Sequence, residues 1–530
     1  MQLLPIGIQS FSKLREQERA YVDKTDLIWQ LAQDPAYYFL SRPRRFGKSL
    51  MLSTLESYFL KQEDLFRGLK LERLQAESGK EWKYYPVIKL SMAGGDGLTV
   101  ESWTGQVHIQ LGMLERRHGV ETGPQVLGER FAKLIVSLYE KYNSRVVVLI
   151  DEYDSPLLES MGDDQVELHK ASRGMLRSMY INLKTYDELV HFAMFTGVSQ
   201  FSQLSLFSGL NALKIITLEN EWSALCGITH EELITYFGGR IDRLAEEKGI
   251  TREALIAALR QKYDGYLFTP RGVHVYNPYG LLKALENGLL MNYWMQTGSP
   301  KVLEYLLPKY RTNAQELAAG VAGEANWIGT QEEPGGKPYP FLFQTGYLTI
   351  KEALSDLSFI LAFPNGEVRT SLASLMETAV VGYDASDMYP RLTELKQCLY
   401  ERKVAGFMDR LKPLFAKVFG GNEPRESLVR ESHFRNALFV VFTLLGEHIQ
   451  MEVPSARGRS DCELQTQDTV YIFELKLASS GETKLDALRQ IKDQGYGDAY
   501  LGGGKPIVCI GATFDSKGDI DWLEREYGEI

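Results

Sequence analysis

Apolar and polar positions fall into two patterns along this chain. In its first part, short, largely apolar runs recur: Tyr37-Tyr38-Phe39-Leu40, Val87 to Met92, Arg145 to Ile150, His191 to Phe195 and Ala212 to Leu218. Runs of this kind suit strands buried on both faces. Between them lie stretches with helical spacing, at Leu27 to Ala32, Leu50 to Leu60, Val100 to Arg117, Pro124 to Tyr142 and Gln165 to Lys184. Strands alternating with helices predict an α/β fold with a doubly wound parallel sheet. From about Gly227 the chain turns to helices and loops rich in aromatics. Thr229-His230-Glu231-Glu232 opens one helix in a capping-like pattern, and Phe341 to Ile350 reads as hairpin-like. Gly420-Gly421-Asn422-Glu423-Pro424 is the clearest linker. Beyond it the pattern predicts a helix at Glu431 to Glu447, then strands at Ile449 to Val453, Ser460 to Gln465 and Thr469 to Leu477. A helix at Glu482 to Gln494 and a final strand at Pro506 to Ala512 complete it.

Composition narrows the class. At 530 residues the chain exceeds one ordinary core. The expected division is 1–225 for the sheet domain, 226–355 for a helical lid with a winged-helix-like region, 356–424 for a helical connector and 425–530 for the last domain. No apolar run reaches membrane-spanning length, and the first residues lack the basic and apolar regions of a secretory signal. The four cysteines, Cys226, Cys398, Cys462 and Cys509, show no metal or disulfide spacing, so a reducing, cytoplasmic setting is expected. A net charge of −10 argues against a protein that simply coats nucleic acid. Contact with DNA or RNA would have to be local, at clusters such as Arg42/Arg44/Arg45/Lys48 or Arg457/Arg459.

The first candidate site follows the strand at Tyr37. Its loop Ser41-Arg42-Pro43-Arg44-Arg45-Phe46-Gly47 runs into Lys48-Ser49, which opens a helix. Strand, tight loop, Gly-Lys-Ser and helix is the layout of a phosphate-binding loop, because unpaired N–H groups and the dipole at a helix start attract phosphate. Lys48 would reach the β and γ phosphates, and Ser49 would hold Mg²⁺. The pattern asks for a glycine where Arg42 stands. The bland alternative is a helix start with a chance lysine. Downstream, the strand ending at Ile150 delivers Asp151 and Glu152 to the sheet edge where open α/β folds bind ligands. Asp151 would hold Mg²⁺ through water, and Glu152 would orient and deprotonate the attacking water.

The segments YVDKT, RPRRFGKS, LIDEYDSPL, FTGVSQFSQLSLFSGLN, LCGITHEEL, YDGYLF, YNPYGLLKAL and YWMQTGS resemble the AAA-ATPase-like family of P-loop proteins, along essentially the whole chain. The resemblance implies ATP and Mg²⁺ as cofactors and makes Arg42 a family trait of the loop. Arg42 through Ser49 would form the Walker A site, Asp151 and Glu152 the Walker B site, and Thr196 the γ-phosphate sensor. Arg173 and Arg177 are candidates for an arginine finger by position alone. The family also typically carries a nuclease-like C-terminal domain.

The last domain resembles the αβββαβ core of PD-(D/E)XK nucleases, a restriction-endonuclease-like fold. In Tyr471-Ile472-Phe473-Glu474-Leu475-Lys476-Leu477 alternate side chains share a face, so Glu474 and Lys476 fall together. Two charges inside an apolar strand are costly unless paired or bound to metal. Asp461 on the neighbouring strand brings a second carboxylate, which suits Mg²⁺ or Mn²⁺. Lys476 would position or help deprotonate the water, Gln490 would be a supporting residue, and Glu431 is a weaker further carboxylate. A structural Glu-Lys pair is the plain alternative. The expected function is nucleotide-dependent, metal-dependent cleavage of DNA or RNA in defence against foreign nucleic acid, with a homo-oligomer compatible. The alternative is a nucleotide-sensing interaction or oligomerisation protein whose nuclease-like domain only binds.

Overall fold

Five of the apolar runs assemble into one sheet. β1 (Tyr37–Ser41), β2 (Val87–Ser91), β3 (Val146–Asp151), β4 (Val190–Gly197) and β5 (Leu213–Ile215) lie in the order β2-β3-β4-β1-β5. Every neighbouring pair is parallel. The computed structural model describes residues 2–94, 99–123, 126–162, 164–200, 207, 213–294, 303, 306–307, 309–310, 312–325, 337–381, 385–419, 431–445, 448–454, 459–466, 468–515 and 519–530. The chain divides into two compact units, Met1–Tyr310 with Ala322–Glu367 and Arg311–Val321 with Val368–Ile530. Among the described residues no helix is long and apolar enough to cross a membrane.

In the first unit β1 and β3 are buried at every residue, as the unbroken apolar runs require. Helices Lys48–Phe59, Val100–His118, Leu127–Tyr142 and Val166–Thr185 make the crossovers. Leu127–Tyr142 shows why: Leu127, Phe131, Leu134, Ile135 and Leu138 form one apolar stripe, and all are buried. They share a core with Val146, Val148 and Ile150 of β3. The expected strand at 212–218 is shorter than its apolar run. After β5 the chain tightens into a 3₁₀ turn at Ile216–Leu218, where the Thr217 side chain accepts the Ser41 N–H in place of a ladder bond.

A helical region follows, with a short ribbon of β6 (Ile228–Thr229) and β7 (Val275–Tyr276) at its base. Helix His230–Lys248 carries the full capping box, Thr229 bonding the Glu232 N–H and Glu232 bonding back. Its buried residues share a core with Leu4 from the N-terminal segment and with helices Arg252–Tyr263 and Pro278–Asn287. The hairpin-like reading at 341–350 is corrected. Tyr339–Gln344 is a helix, opened by prolines at its start, and Gly346 turns the chain at φ 88°. A three-stranded sheet then forms from β8 (Val321–Glu324), β9 (Thr349–Ala353) and β10 (Ser358–Ala362), in the order β8-β10-β9.

The second unit is built on β11 (His448–Pro454), β12 (Arg459–Gln465), β13 (Val470–Leu477), β14 (Ile507–Phe514) and β15 (Ile520–Glu526), in that spatial order. β13 and β14 are parallel, joined through helix Lys484–Asp493, and the other pairs are antiparallel. β13 sorts its side chains as its alternation requires. Phe473 packs against Phe442 of helix Glu431–Leu445, ring centres 5.3 Å apart. Val470 and Ile472 join Leu488 and Ile491 on the opposite face. One element was not expected: β14 is followed by β15. Ile520-Asp521-Trp522-Leu523-Glu524-Arg525-Glu526 is an edge strand with charged residues, so it lacks the apolar run that marks a central strand.

Gly511 decides how closely helix Lys484–Asp493 lies on this sheet. It pairs with Glu474, and a Cβ there would stand 2.3 Å from the Lys484 carbonyl oxygen and 2.9 Å from Leu488 Cγ. Gly511→Val should therefore push the helix off the sheet and lower stability by roughly 1–3 kcal/mol. Chemical denaturation of the full chain measures this, and an unchanged midpoint would refute the close approach.

Candidate functional site

The first site stands at the carboxyl ends of β1, β3 and β4, where the polar residues that end these apolar strands collect. The loop after β1 is shaped by two left-handed residues, Arg45 (φ 68°) and Gly47 (φ 97°). Nothing lies within 4 Å of a Cβ at Gly47, so backbone conformation and not space calls for glycine there. Gly47 caps helix Lys48–Phe59 without a side-chain bond to the helix start. Lys48 is buried, and its Nζ donates to the carbonyls of Arg42 (2.7 Å) and Pro43 (2.9 Å). Burial pulls its pKa down, while Glu152 and Asp151 oppose that pull. Ser49 is half-buried in the first turn.

Three of the expected phosphate-facing residues hold the loop from behind. The Arg42 guanidinium is sealed inside the unit, donating to the carbonyls of Ser41 (2.9 Å), Thr217 (2.9 Å) and Trp222 (3.4 Å). It lies 4.5 Å from the centre of the Phe268 ring, and burial pushes its pKa down to about 10. The Phe46 ring packs on Tyr266 and Phe268. The Pro43 ring fills the space beside Gly346, 2.6 Å from where a Cβ would stand. Arg45 is exposed, its guanidinium 5.2 Å from the centre of the Tyr279 ring. Arg44 is half-buried, with its carbonyl accepting from the Trp294 indole N–H (3.2 Å).

β3 and β4 supply the acids. Asp151 Oδ1 accepts from the Thr196 hydroxyl (2.6 Å) and from the Glu152 N–H (3.1 Å). Thr196 was expected just past its strand; the structure places it inside β4, fully buried and opposite Leu40, with its hydroxyl given to Asp151. Glu152 leaves the strand with φ 51°. Burial raises its carboxyl above the usual range; Lys48 opposes this, Asp151 and Asp154 add to it, and Arg44 also opposes it. Arg173 lies beside His169 and Arg177 is exposed on helix Val166–Thr185.

Sequence reasoning passed over Asp154. Its buried carboxylate accepts from the Val198 N–H (3.0 Å), the Ser199 N–H (2.6 Å) and the Ser199 hydroxyl (2.7 Å). Those bonds fix the loop after β4 against the end of β3. A Cβ at Gly197 would fall 2.6 Å from the Tyr153 ring and 2.7 Å from Asp154, which leaves room for glycine alone. The second aspartate of Asp151-Glu152-Tyr153-Asp154 was a visible signal, but its partners lie past the next strand.

The second site is carried by β12 and β13. Asp461 and Glu474 follow directly beyond the Cys462–Phe473 pair, and both are buried. Asp461 Oδ2 accepts the Leu475 N–H at 2.7 Å. Lys476 Nζ lies 3.4 Å from Glu474 Oε1 and 3.6 Å from Glu482 Oε1, and donates to Gln490 Oε1 at 2.6 Å. Gln490 in turn donates to the Tyr496 hydroxyl at 3.2 Å. Burial and the neighbouring Asp461 push Glu474 up to about 8 against the pull of Lys476. For Lys476 burial lowers the pKa, but Glu474 and Glu482 outweigh it and the net shift is upward. The structure thus brings together Asp461, Glu474, Lys476 and Gln490. The Glu431 side chain and the turn at 455–458 lie outside the described residues.

Glu463, Glu482 and Tyr496 were not anticipated. Glu463 lies two residues from Asp461, hence on the same face, and its buried carboxylate accepts from the Ser460 hydroxyl (2.7 Å) and from Tyr500. The alternation of β12 could have revealed it; Glu482 and Tyr496 stand outside regular elements and left no periodic signal. Glu474 Oε2 is buried without a hydrogen-bond partner among the described residues, which fits a cation-binding oxygen. Among those residues no three His, Cys, Asp or Glu side chains are grouped to hold a metal. A cation at Asp461 and Glu474 would therefore complete its shell with water or substrate phosphate, as Mg²⁺ commonly does.

Comparison with known proteins gives three matches. Residues 5–207 match the family model described as a predicted AAA-ATPase. Residues 429–521 match that of the PD-(D/E)XK nuclease superfamily. The chain is also similar to a protein of Azotobacter chroococcum mcd 1 described as "Uncharacterized protein in vnfD 5'region", at 34% identity over 538 residues, covering 99% of each chain.

The raised Glu474 has a consequence for stability. Its folded pKa lies above the ordinary carboxylate value, so the native state keeps a proton that the unfolded chain has lost. This contribution is complete below the ordinary carboxylate range and is lost as pH rises toward about 8. With divalent ions chelated, Glu474→Gln should flatten the decline in stability over that window and unfold at higher denaturant than wild type near pH 8. Equal slopes in denaturant titrations across the window would show that Glu474 ionises normally.

Proposed function

Because the chain belongs to the predicted AAA-ATPase family that ends in a PD-(D/E)XK nuclease superfamily domain, we propose that it binds and hydrolyses ATP and cleaves DNA or RNA with a divalent metal. The observation that carries the nuclease reading is the Lys476 ammonium, held by Glu474 and Gln490 on the strand that faces Asp461. A chance Glu-Lys pair has no use for an opposing buried carboxylate. It also has no use for a glutamine that fixes the lysine while being fixed by Tyr496.

In this reading Asp461 and Glu474 hold Mg²⁺ or Mn²⁺. The metal, when bound, polarises the scissile phosphate and lowers the pKa of water. Lys476 positions that water and Gln490 holds Lys476 in place. In the first unit the open start of helix Lys48–Phe59 receives phosphate, with Lys48 moving from the Arg42 and Pro43 carbonyls to phosphate oxygens. Ser49 and Asp151 hold Mg²⁺, and Thr196 fixes the Asp151 carboxylate. Glu152 takes the proton of the attacking water, a task its raised pKa favours. ATP controls cleavage in this reading, and the two sites in one chain fit a role in defence against foreign nucleic acid.

The test compares wild type, Lys48→Ala and Lys476→Ala in Mg²⁺-dependent nicking of DNA and RNA, with and without ATP. Lys476→Ala should lose cleavage by at least about 100-fold while still hydrolysing ATP. Lys48→Ala should lose ATP hydrolysis and, with it, the response of cleavage to ATP. Cleavage by Lys48→Ala equal to wild type under all conditions would sink the coupling. ATP hydrolysis by wild type without cleavage of any nucleic acid would leave a nucleotide-sensing binding protein.

A further inference from the structure

The carboxyl ends of β1, β3 and β4 carry the phosphate loop and its acids, so the amino ends of the same parallel strands form the opposite edge of the sheet. Two ring pairs stand there. Tyr85, just before β2, stacks on His191 at the start of β4, ring centres 4.0 Å apart and planes within 9°. Tyr84 lies against Tyr142, which precedes β3, at 5.5 Å. The strand register gathers these residues, since Val87 pairs with Val147 and Val146 with Val190, and the Ser144 hydroxyl reaches the Tyr84 carbonyl at 3.4 Å. Tyr84 is 37% exposed, and the other three rings are half-buried.

Two cations flank the rings. Lys83 stands two residues before Tyr85, and Arg145 opens β3 between the strands that carry Tyr85 and His191. Both are exposed, and neither side chain makes a hydrogen bond or ion pair among the described residues. Their basic neighbours are committed elsewhere, Arg117 to Glu56 at 3.7 Å and Lys141 to the carbonyls of His118 and Gly119. The Asp187 carboxylate, before β4, accepts from the Tyr37 hydroxyl at 2.5 Å. Burial, Arg145 and Lys83 hold His191 down to about 4, so at neutral pH its ring is uncharged and presents a plain π-face. Exposed Glu81 and Glu188 keep the edge from being strongly basic, so charge alone would hold a duplex poorly and stacking has to carry recognition.

We propose that this edge of the first unit binds single-stranded nucleic acid, with bases stacked on Tyr84 and continuing the Tyr85–His191 stack, and phosphates held by Lys83 and Arg145. The proposal rests on the reading that the chain acts on DNA or RNA, and it names the form held and a surface outside the phosphate-loop site. Ring stacking requires unpaired bases, which a duplex keeps inside. Because the phosphate loop lies at the other edge of the sheet, strand and ATP bind together without competing.

The experiment measures fluorescence anisotropy of labelled single-stranded dT and rU oligonucleotides, and of a duplex of the same length, with the full chain in EDTA, where metal-dependent cleavage is silent. Wild type should bind both single strands more tightly than the duplex, and ATP should not displace them. Tyr84→Leu should weaken binding roughly 10-fold, and Tyr84→Phe, which keeps the ring, should stay close to wild type. Combining Lys83→Ala with Arg145→Ala should reduce the slope of log affinity against log salt by about 1.4, at about 0.7 for each phosphate contact. Lys476→Ala should bind as wild type does. Thermal unfolding shows that each variant is folded. Folded Tyr84→Leu and Lys83/Arg145 variants that bind like wild type overturn the assignment, as does a preference for duplex or displacement by ATP. Polyglutamate bound as tightly as the oligonucleotides and indifferent to Tyr84→Leu would mark a surface for acidic protein and overturn it too. A wild type that neither binds nor, with Mg²⁺, cleaves any nucleic acid removes the nucleic-acid reading and this proposal together. Cleavage that persists while the Tyr84 and Lys83/Arg145 variants bind normally removes this proposal only, and the predicted binding without cleavage removes only the nuclease reading.

Discussion

The first unit depends on a guanidinium buried where a phosphate loop ordinarily has glycine. A charge taken out of water must be solvated by the protein, and among the described residues no carboxylate bonds Arg42; three carbonyl oxygens and an aromatic face do it instead. Those oxygens come from the end of β1 and from the turns at Thr217 and Trp222, so the need to solvate one charge joins the loop to the segment entering the helical region. The main chain of Arg42 does further work. Its N–H donates to the Gly197 carbonyl at 3.1 Å, beside Thr196, and its own carbonyl receives Lys48. One residue therefore aligns β1, β4, Lys48 and the route into the helices. A glycine could supply the main-chain bonds but not the guanidinium ties.

The second unit meets the same constraint with the opposite charge. Asp461 and Glu474 face one another inside an apolar sheet, a repulsive pairing that Lys476 only partly relieves. Geometry limits the relief: Lys476 is shared with Glu482 and steered by Gln490. Gln490 reaches it because Gly511 lets helix Lys484–Asp493 settle on β14 directly beside the Glu474 pair. Packing precision at a residue with no side chain thus determines where a lysine points. The apolar face of β13, closed by Phe473 on Phe442, keeps the strand from rotating away.

What could be read from the sequence followed the range of the forces involved. Strand runs and helical stripes are local, and β1 to β4 with their helices appear where their patterns place them. The pairing of Glu474 with Lys476 needed only strand alternation. The bonds of Asp154, Thr196 and Arg42 were not legible because their partners, Ser199, Asp151 and Thr217, lie far from them in sequence. A polar side chain at a strand end looks the same in sequence whether it meets a ligand or a neighbour. β15 escaped for a different reason: an edge strand buries little, so its charged residues obscure the alternation.

Glu152 and Glu474 belong to different units, yet their chemistry is set alike. Each is raised chiefly by burial, each sits beside another acid, and each is drawn back by one lysine. An acid in that balance responds steeply to any added positive charge, because the same low-dielectric surroundings that oppose its ionisation magnify the attraction of a cation. Weaker burial would leave both carboxylates ionised whatever stood beside them, and a second paired cation would hold them ionised permanently. The lysine draws each acid back without cancelling the rise that burial causes. In the first unit Arg44 also opposes the rise at Glu152.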